Sequence, residues 1–164
     1  MAAPLSAVIF DTESAELSAN ERAFFKEINP MGYILFARHC ATPEAVKKLV
    51  GELKNISGND RLPILIDQEG GRVARLKPPH WPKYAPAATF AKLALINREQ
   101  AHRAAYLNAR LIARDLYELG ITVNCAPLAD IPVQGAHDII SDRAFGTDAD
   151  RVIFLARAMA IGLM

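Results

Sequence analysis

The sequence predicts an α/β fold of about four β/α units around a parallel sheet. Three observations carry this. Four short apolar runs punctuate the chain, at Ala7 to Phe10, Tyr33 to Phe36, Pro63 to Ile66 and Ile121 to Ala126. The first three are continuously apolar rather than alternating, the pattern of strands covered on both faces, while Thr122 and Asn124 interrupt the fourth. Helical periodicity fills the intervals, so the order reads β-α-β-α-β-α-β-α, which builds βαβ crossovers. Right-handed crossovers leave two closures open, a doubly wound sheet or a barrel.

Each helix has its own signature. Ser18-Ala19-Asn20-Glu21 is a capping box, in which the Ser hydroxyl and the Glu carboxylate each satisfy a free backbone N–H. Phe24, Phe25 and Ile28 follow it on one face. Thr42 followed by Pro43 reads as N-cap and first helical residue, and Val46, Leu49, Val50 and Leu53 form the apolar stripe behind it. Ser57-Gly58-Asn59-Asp60 ends that unit as a turn. Leu107, Leu111, Ile112, Leu116 and Leu119 mark a third helix, stopped at Gly120. A fourth is expected from about Thr147, with Asp150 at the capping-box position and Val152, Leu155, Ala156, Met159 and Leu163 as its stripe. The sequence reaches Met164 inside or just after this helix. Four units are half of a (β/α)8 barrel, and a whole barrel takes about 250 residues. The expectation is a single partial barrel domain over residues 1–164, cut before a fifth strand.

Composition narrows the class of partner. Of 164 residues, 51% are apolar and 23% charged, an ordinary globular balance. Nineteen basic against eighteen acidic residues give a net charge of +1, too little to draw a nucleic acid or an anionic membrane. Cys40 and Cys125 lie far apart, without metal-ligand spacing, and Cys125 in its apolar run reads as a small buried thiol. The N-terminus has no basic stretch before an apolar core, and no run is long enough to span a bilayer, so a cytoplasmic location is expected. The motifs GxGxxG, GxxxxGK[ST] and HExxH are absent; neither nucleotide, cofactor nor metal is expected.

One stretch breaks the rhythm. Residues 68–96 hold Gly70, Gly71, four prolines, His80, Trp81 and Tyr84, a composition for an ordered rim loop rather than a linker. Asp67 stands just before it, at the end of the third strand, where α/β proteins place their sites. Gln68-Glu69-Gly70-Gly71-Arg72-Val73-Ala74-Arg75 follows. Carboxylates and guanidinium groups on one rim suit a sugar, whose hydroxyls both donate and accept. A local ion pair of Asp67 or Glu69 with Arg72, pinning the loop, accounts for the same residues. Asp130 and Arg143, in the loop after the fourth run, could also reach the rim, and a buried acceptor of loop N–H groups is the simpler reading of Asp130. His80 and His137 lie in loops, His102 lies on a helix, and His39 has no partner at metal spacing. Asp11, after the first run, has only Glu13 as an acidic neighbour.

Four segments in this order resemble a known family: Ile34-Leu35-Phe36-Ala37-Arg38, Ile66-Asp67-Gln68-Glu69-Gly70-Gly71-Arg72-Val73, Ala126-Pro127-Leu128-Ala129-Asp130 and Ser141-Asp142-Arg143-Ala144-Phe145-Gly146. They are similar to segments of the β-N-acetylglucosaminidases of glycoside hydrolase family 3, cytoplasmic enzymes of bacterial cell-wall recycling. The resemblance implies a TIM-type (β/α)8 barrel, of which this chain would be the N-terminal half. It implies removal of a terminal β-linked N-acetylglucosamine from anhydro-muropeptides by a retaining mechanism. By motif position, Asp67 and Arg75 would hold sugar hydroxyls and Arg143 would be a third substrate contact. The family's general acid/base histidine belongs to a loop after a fifth strand, and its aspartate nucleophile lies later still. No residue of this chain matches either, so no catalytic residue is expected within it.

Two other classes compete. A receiver-like signalling domain would use Asp67 as phosphoacceptor, but Asp11-Thr12-Glu13 is a poor substitute for the acidic pair that holds its Mg²⁺. A half barrel could instead bind N-acetylglucosamine without cleaving it. Its exposed strand edges would favour self-association.

Overall fold

The computed structural model describes residues 4–133, 135 and 138–164. The chain forms two compact units. One runs up to Asp67 and takes in Leu116–Asn124; the other holds Gln68–Asp115 and the described residues of Cys125–Met164.

The first unit contains the sheet. Strands β1 (Ser6–Phe10), β2 (Pro30–Leu35), β3 (Ile64–Ile66) and β4 (Val123–Asn124) pair in parallel in the order β1-β2-β3-β4. This order decides between the two closures. A doubly wound sheet puts its first strand inside the sheet, whereas β1 is an edge and each strand pairs with the next, as around a barrel. The receiver-like reading loses its scaffold with that result.

Helix α1 (Ala19–Ile28) opens on the capping box the sequence shows. Glu21 N–H donates to Ser18 Oγ at 3.2 Å, and Ser18 N–H donates to the Glu21 carboxylate at 2.9 Å. Helix α2 (Pro43–Ser57) is capped by Thr42, which accepts from Ala45 N–H, and ends on Gly58 at φ +64°. Val46, Leu49, Val50 and Leu53 are all buried, with Tyr33, Leu35, Ile64 and Ile66 of the sheet. The first apolar run departs from expectation. Val8 and Ile9 are 40% and 45% exposed, because β1 pairs on one side only and is not covered on both faces.

His39 is the buried polar centre of this unit, with 0% exposure. Its Nδ1 accepts the Phe36 N–H at 2.9 Å, so Nε2 carries the proton toward the Thr12 carbonyl at 2.8 Å. The neighbouring Arg38 donates to that same carbonyl and pairs with Asp11. Burial lowers the His39 pKa, the Thr12 bond works against that shift, and Arg38 adds to it. The folded pKa therefore lies below the value of about 6.5 for an unfolded histidine. Between the two the unfolded chain binds the extra proton, so stability is complete above about pH 6.5 and falls as the pH drops through that window. Urea unfolding at pH 7.5 and 5.5 should show a lower midpoint at the acid pH, and a smaller loss in His39→Gln. Equal acid losses in the two proteins would show that His39 is not the group responsible.

The second unit holds α3 (Ala87–Ala94), the part of α4 (Arg98–Glu118) up to Asp115, and α5 (Ala149–Leu163). Three expectations are corrected in this unit. Residues 68–96 are not irregular throughout, since α3 lies within them. The buried face of α4 begins with Ala101, Ala105, Ala109 and Ile112, while Leu107 and Leu111 are 48% and 53% exposed. Alanines line that face because α5 comes close: a Cβ on Gly162 would sit 2.5 Å from the Tyr106 carbonyl oxygen and 2.7 Å from Ala109 Cβ. The cap of α5 is Asp148 rather than Thr147, its carboxylate accepting from Arg151 N–H at 2.9 Å. Helix α4 ends just before Gly120, which takes φ +76°, as expected of a stop. No helix among the described residues is long and apolar enough to cross a membrane.

Candidate functional site

Asp67 directly follows β3 and is half-buried at the end of the first unit. The loop after it is built in three steps. The Gln68 side chain is 1% exposed and turns back on the chain, Oε1 accepting from Arg75 N–H at 2.8 Å and Leu76 N–H at 3.0 Å. Its Nε2 donates to the Leu76 carbonyl at 3.1 Å. One amide thus stands in for three backbone partners and fixes where Arg75 leaves the turn. Glu69 N–H donates to the Val73 carbonyl at 3.0 Å, closing the turn between. Gly70 and Gly71 then adopt φ +96° and +61°, and Gly71 N–H donates to the Tyr84 carbonyl at 2.9 Å. Only glycine reaches the first of these angles without strain.

Two ion pairs tie this turn to the 3-10 segment Ser141–Arg143 within the same unit. Arg143 meets Glu69 as a fork, Nε to Oε2 at 2.9 Å and Nη2 to Oε1 at 2.7 Å, while Nη1 donates to the Ile139 carbonyl at 3.4 Å. Arg72 Nε donates to Asp142 at 2.8 Å, and its Nη2 donates to the Ile139 carbonyl. The two pairs differ in weight. The Arg143 and Glu69 side chains are 20% and 10% exposed, those of Arg72 and Asp142 46% and 38%. The bidentate, enclosed pair carries the geometry, and the outer one is screened by water. Proximity in sequence suggests Arg72 as the partner of Glu69, and the structure corrects this. The glycine pair between them turns the chain so that each finds its partner some 70 residues on.

The remaining candidates fall outside this arrangement. Asp130 is exposed, not a buried acceptor, because the backbone around it lies at the surface. Cys125 is also exposed, since β4 ends at Asn124 and the apolar run does not continue as a strand, whereas Cys40 is buried. His80 is exposed beside Trp81, and His102 packs against the Phe154 ring at 4.7 Å. His137 lies outside the described residues. A cleft of about 240 Å³ opens along Gly71, Arg72, Leu76, Lys77, Pro82 and Tyr84, and neither Arg75 nor Arg143 lines it. At its edge the Tyr84 hydroxyl donates to Asp115 at 2.6 Å; burial and that carboxylate raise the Tyr84 pKa. Among the described residues no cluster of three or more His, Cys, Asp or Glu side chains could hold a metal ion.

A parallel sheet whose strands pair in sequential order, followed by a polar loop after its third strand, is the arrangement of a (β/α) barrel that carries its site in the loops after the strands. Comparison with known proteins makes this specific: residues 5–164 match the glycosyl hydrolase family 3 N terminal domain, and the chain belongs to that family. It is 33% identical over 155 residues to a β-hexosaminidase of Methylococcus capsulatus, covering 94% of this chain and 44% of the relative. A β-hexosaminidase of Psychromonas ingrahamii is 30% identical over 156 residues, again with 44% of its length covered. The structure of NagZ from Neisseria gonorrhoeae in complex with N-trifluoroacetyl-D-glucosamine superposes with a TM-score of 0.90 at 27% identity, over 99% of this chain and 47% of that one. A family 3 β-N-acetylglucosaminidase of a Paenibacillus species gives 0.84 at 30% identity, over 94% of this chain and 29% of that one. The fold class expected from the sequence, about four β/α units of a TIM-type barrel, is the one these superpositions show. The chain spans about 44% of the length of the curated relatives it matches.

Proposed function

We propose that this chain carries the sugar-binding part of a β-N-acetylhexosaminidase that removes terminal β-linked N-acetylglucosamine. Its substrate on this reading is an anhydro-muropeptide in the cytoplasmic recycling of peptidoglycan, and the mechanism is retaining. Asp67 accepts from sugar hydroxyls, while Arg75 and Arg143 donate to them. The bond-breaking groups, a nucleophilic aspartate and a histidine acid/base, lie outside this sequence, so the chain alone binds without hydrolysing. The observation that supports this most directly is the turn after Asp67. It commits the buried amide of Gln68 to the Arg75 backbone N–H and the carboxylate of Glu69 to the Arg143 guanidinium, so that both arginines are held at defined positions. The Neisseria relative, solved with an N-acylated glucosamine, supports the ligand class.

The test is a titration of N-acetylglucosamine into the ¹⁵N-labelled chain. The amides of Gly70, Gly71 and Arg75 should shift, and Asp67→Ala should weaken binding by about tenfold or more, the loss of a charge-assisted bond, with its circular dichroism unchanged. An aryl N-acetylglucosaminide should not be turned over. Silent amides would remove the sugar-binding reading, and turnover would remove the claim that the catalytic groups lie elsewhere. The exposed residues of β1 also favour self-association at that sheet edge, so the sample is first sized by light scattering. A clean monomer would discard self-association and leave the sugar reading standing.

A further inference from the structure

We infer that Glu69 is the positioning residue for Arg143: it sets the plane of the guanidinium and hence the direction from which Arg143 meets the sugar. The inference rests on the reading of Arg143 as a substrate contact and adds the residue that aims it. Arginine has four rotatable side-chain torsions leading to its planar head, so an unheld guanidinium at the end of a short 3-10 turn samples many directions. Glu69 removes that freedom. Both its oxygens face Nε and Nη2 of Arg143, at 2.9 and 2.7 Å, a fork that permits one plane and one rotation. Nη1, which also donates to the Ile139 carbonyl at 3.4 Å, is thereby given a single heading. Glu69 is itself immobilised, its N–H bonded to Val73 and its side chain 10% exposed. The outer pair, Arg72 with Asp142, holds the residue next to Arg143 and keeps the two segments in register. A carboxylate in contact with substrate would face the hydroxyls directly; this one is occupied by a cation and acts through it.

A double-mutant cycle on sugar binding tests this, using the same titration with this chain. Glu69→Gln, close to isosteric but uncharged, should weaken N-acetylglucosamine binding about tenfold, as expected of a lost charge-assisted contact. In an Arg143→Ala background the same change should weaken it no further, because its effect passes through Arg143. The Arg143 Nε–H resonance gives an independent readout: sharp and slowly exchanging in the wild type, broadened in Glu69→Gln. Glu69→Asp keeps the charge but shortens the reach, and should lie between; it also serves if the glutamine variant does not fold. Wild-type affinity in Glu69→Gln, or a full additional loss on top of Arg143→Ala, would overturn the positioning role while leaving sugar binding intact. Failure of the wild type to bind would overturn both.

Discussion

Gly70→Ala should destabilise the protein by about 3–5 kcal/mol, enough to consume much of the margin of a small domain. Two costs add at this position. The backbone sits at φ +96°, where an L-residue is strained by on the order of 1–3 kcal/mol. The new methyl would also lie 2.3 Å from the Ala85 carbonyl oxygen and 3.1 Å from its carbon, which are backbone atoms that no side-chain rotation can clear. Relief requires moving the Tyr84–Pro86 segment, and with it the bond from Gly71 N–H to the Tyr84 carbonyl. Gly51→Ala is the natural contrast. Gly51 is in the interior of α2 with nothing within 4 Å of the new Cβ and no positive φ, so alanine there should stabilise by roughly 0.5–1 kcal/mol. Denaturant unfolding of both variants checks the pair. Similar shifts at the two sites would show that the turn after Asp67 yields to the added methyl and is not held rigidly against Ala85.

How much of this is legible in the sequence depends on the range of the interaction. Caps and stripes are local, so Ser18 with Glu21, Thr42 with Pro43, and Val46 through Leu53 can be read directly. Helix α3 cannot, because its eight residues bury only Phe90 and Ala91 and give no periodicity to find. On α4 the large apolar residues point to the wrong face. Leu107 and Leu111 outrank alanine in hydrophobicity, but the close approach of Gly162 selects for a small side chain at Ala109. Cys125 misleads for a related reason: its apolar run suggests a strand longer than the two residues that pair. At the site, the importance of the segment from Asp67 to Arg75 is visible in its composition. The partners are not, since Glu69 and Arg143 are 74 positions apart and no spacing rule joins them. The role of Gln68 leaves one faint signal, a polar side chain placed two residues after a buried strand.

That buried amide gives the second large effect. In Gln68→Leu, the N–H groups of Arg75 and Leu76 and the carbonyl of Leu76 all lose the bonds this side chain makes with them. Each unpaired buried group costs about 1–3 kcal/mol, so the loss at the buried N–H and carbonyl of Leu76 alone should be roughly 2–6 kcal/mol, and Arg75 is released from its position. Gln68→Glu separates hydrogen bonding from packing. Its carboxylate can still accept from both N–H groups, but the oxygen facing the Leu76 carbonyl then has no proton to donate. Protonation restores that donor and reproduces the pattern of the amide. The folded state therefore favours the acid form, raising the pKa of the new glutamate above its unfolded value, and the deficit is greatest at neutral pH and shrinks on acidification. The gap in urea midpoint between wild type and Gln68→Glu should narrow from pH 7.5 to pH 5.5. Comparing both proteins at each pH removes the acid loss expected from His39, which they share. A gap independent of pH would mean that the Leu76 carbonyl does not need this donor, and the clamp on Arg75 would then reduce to the two N–H bonds alone.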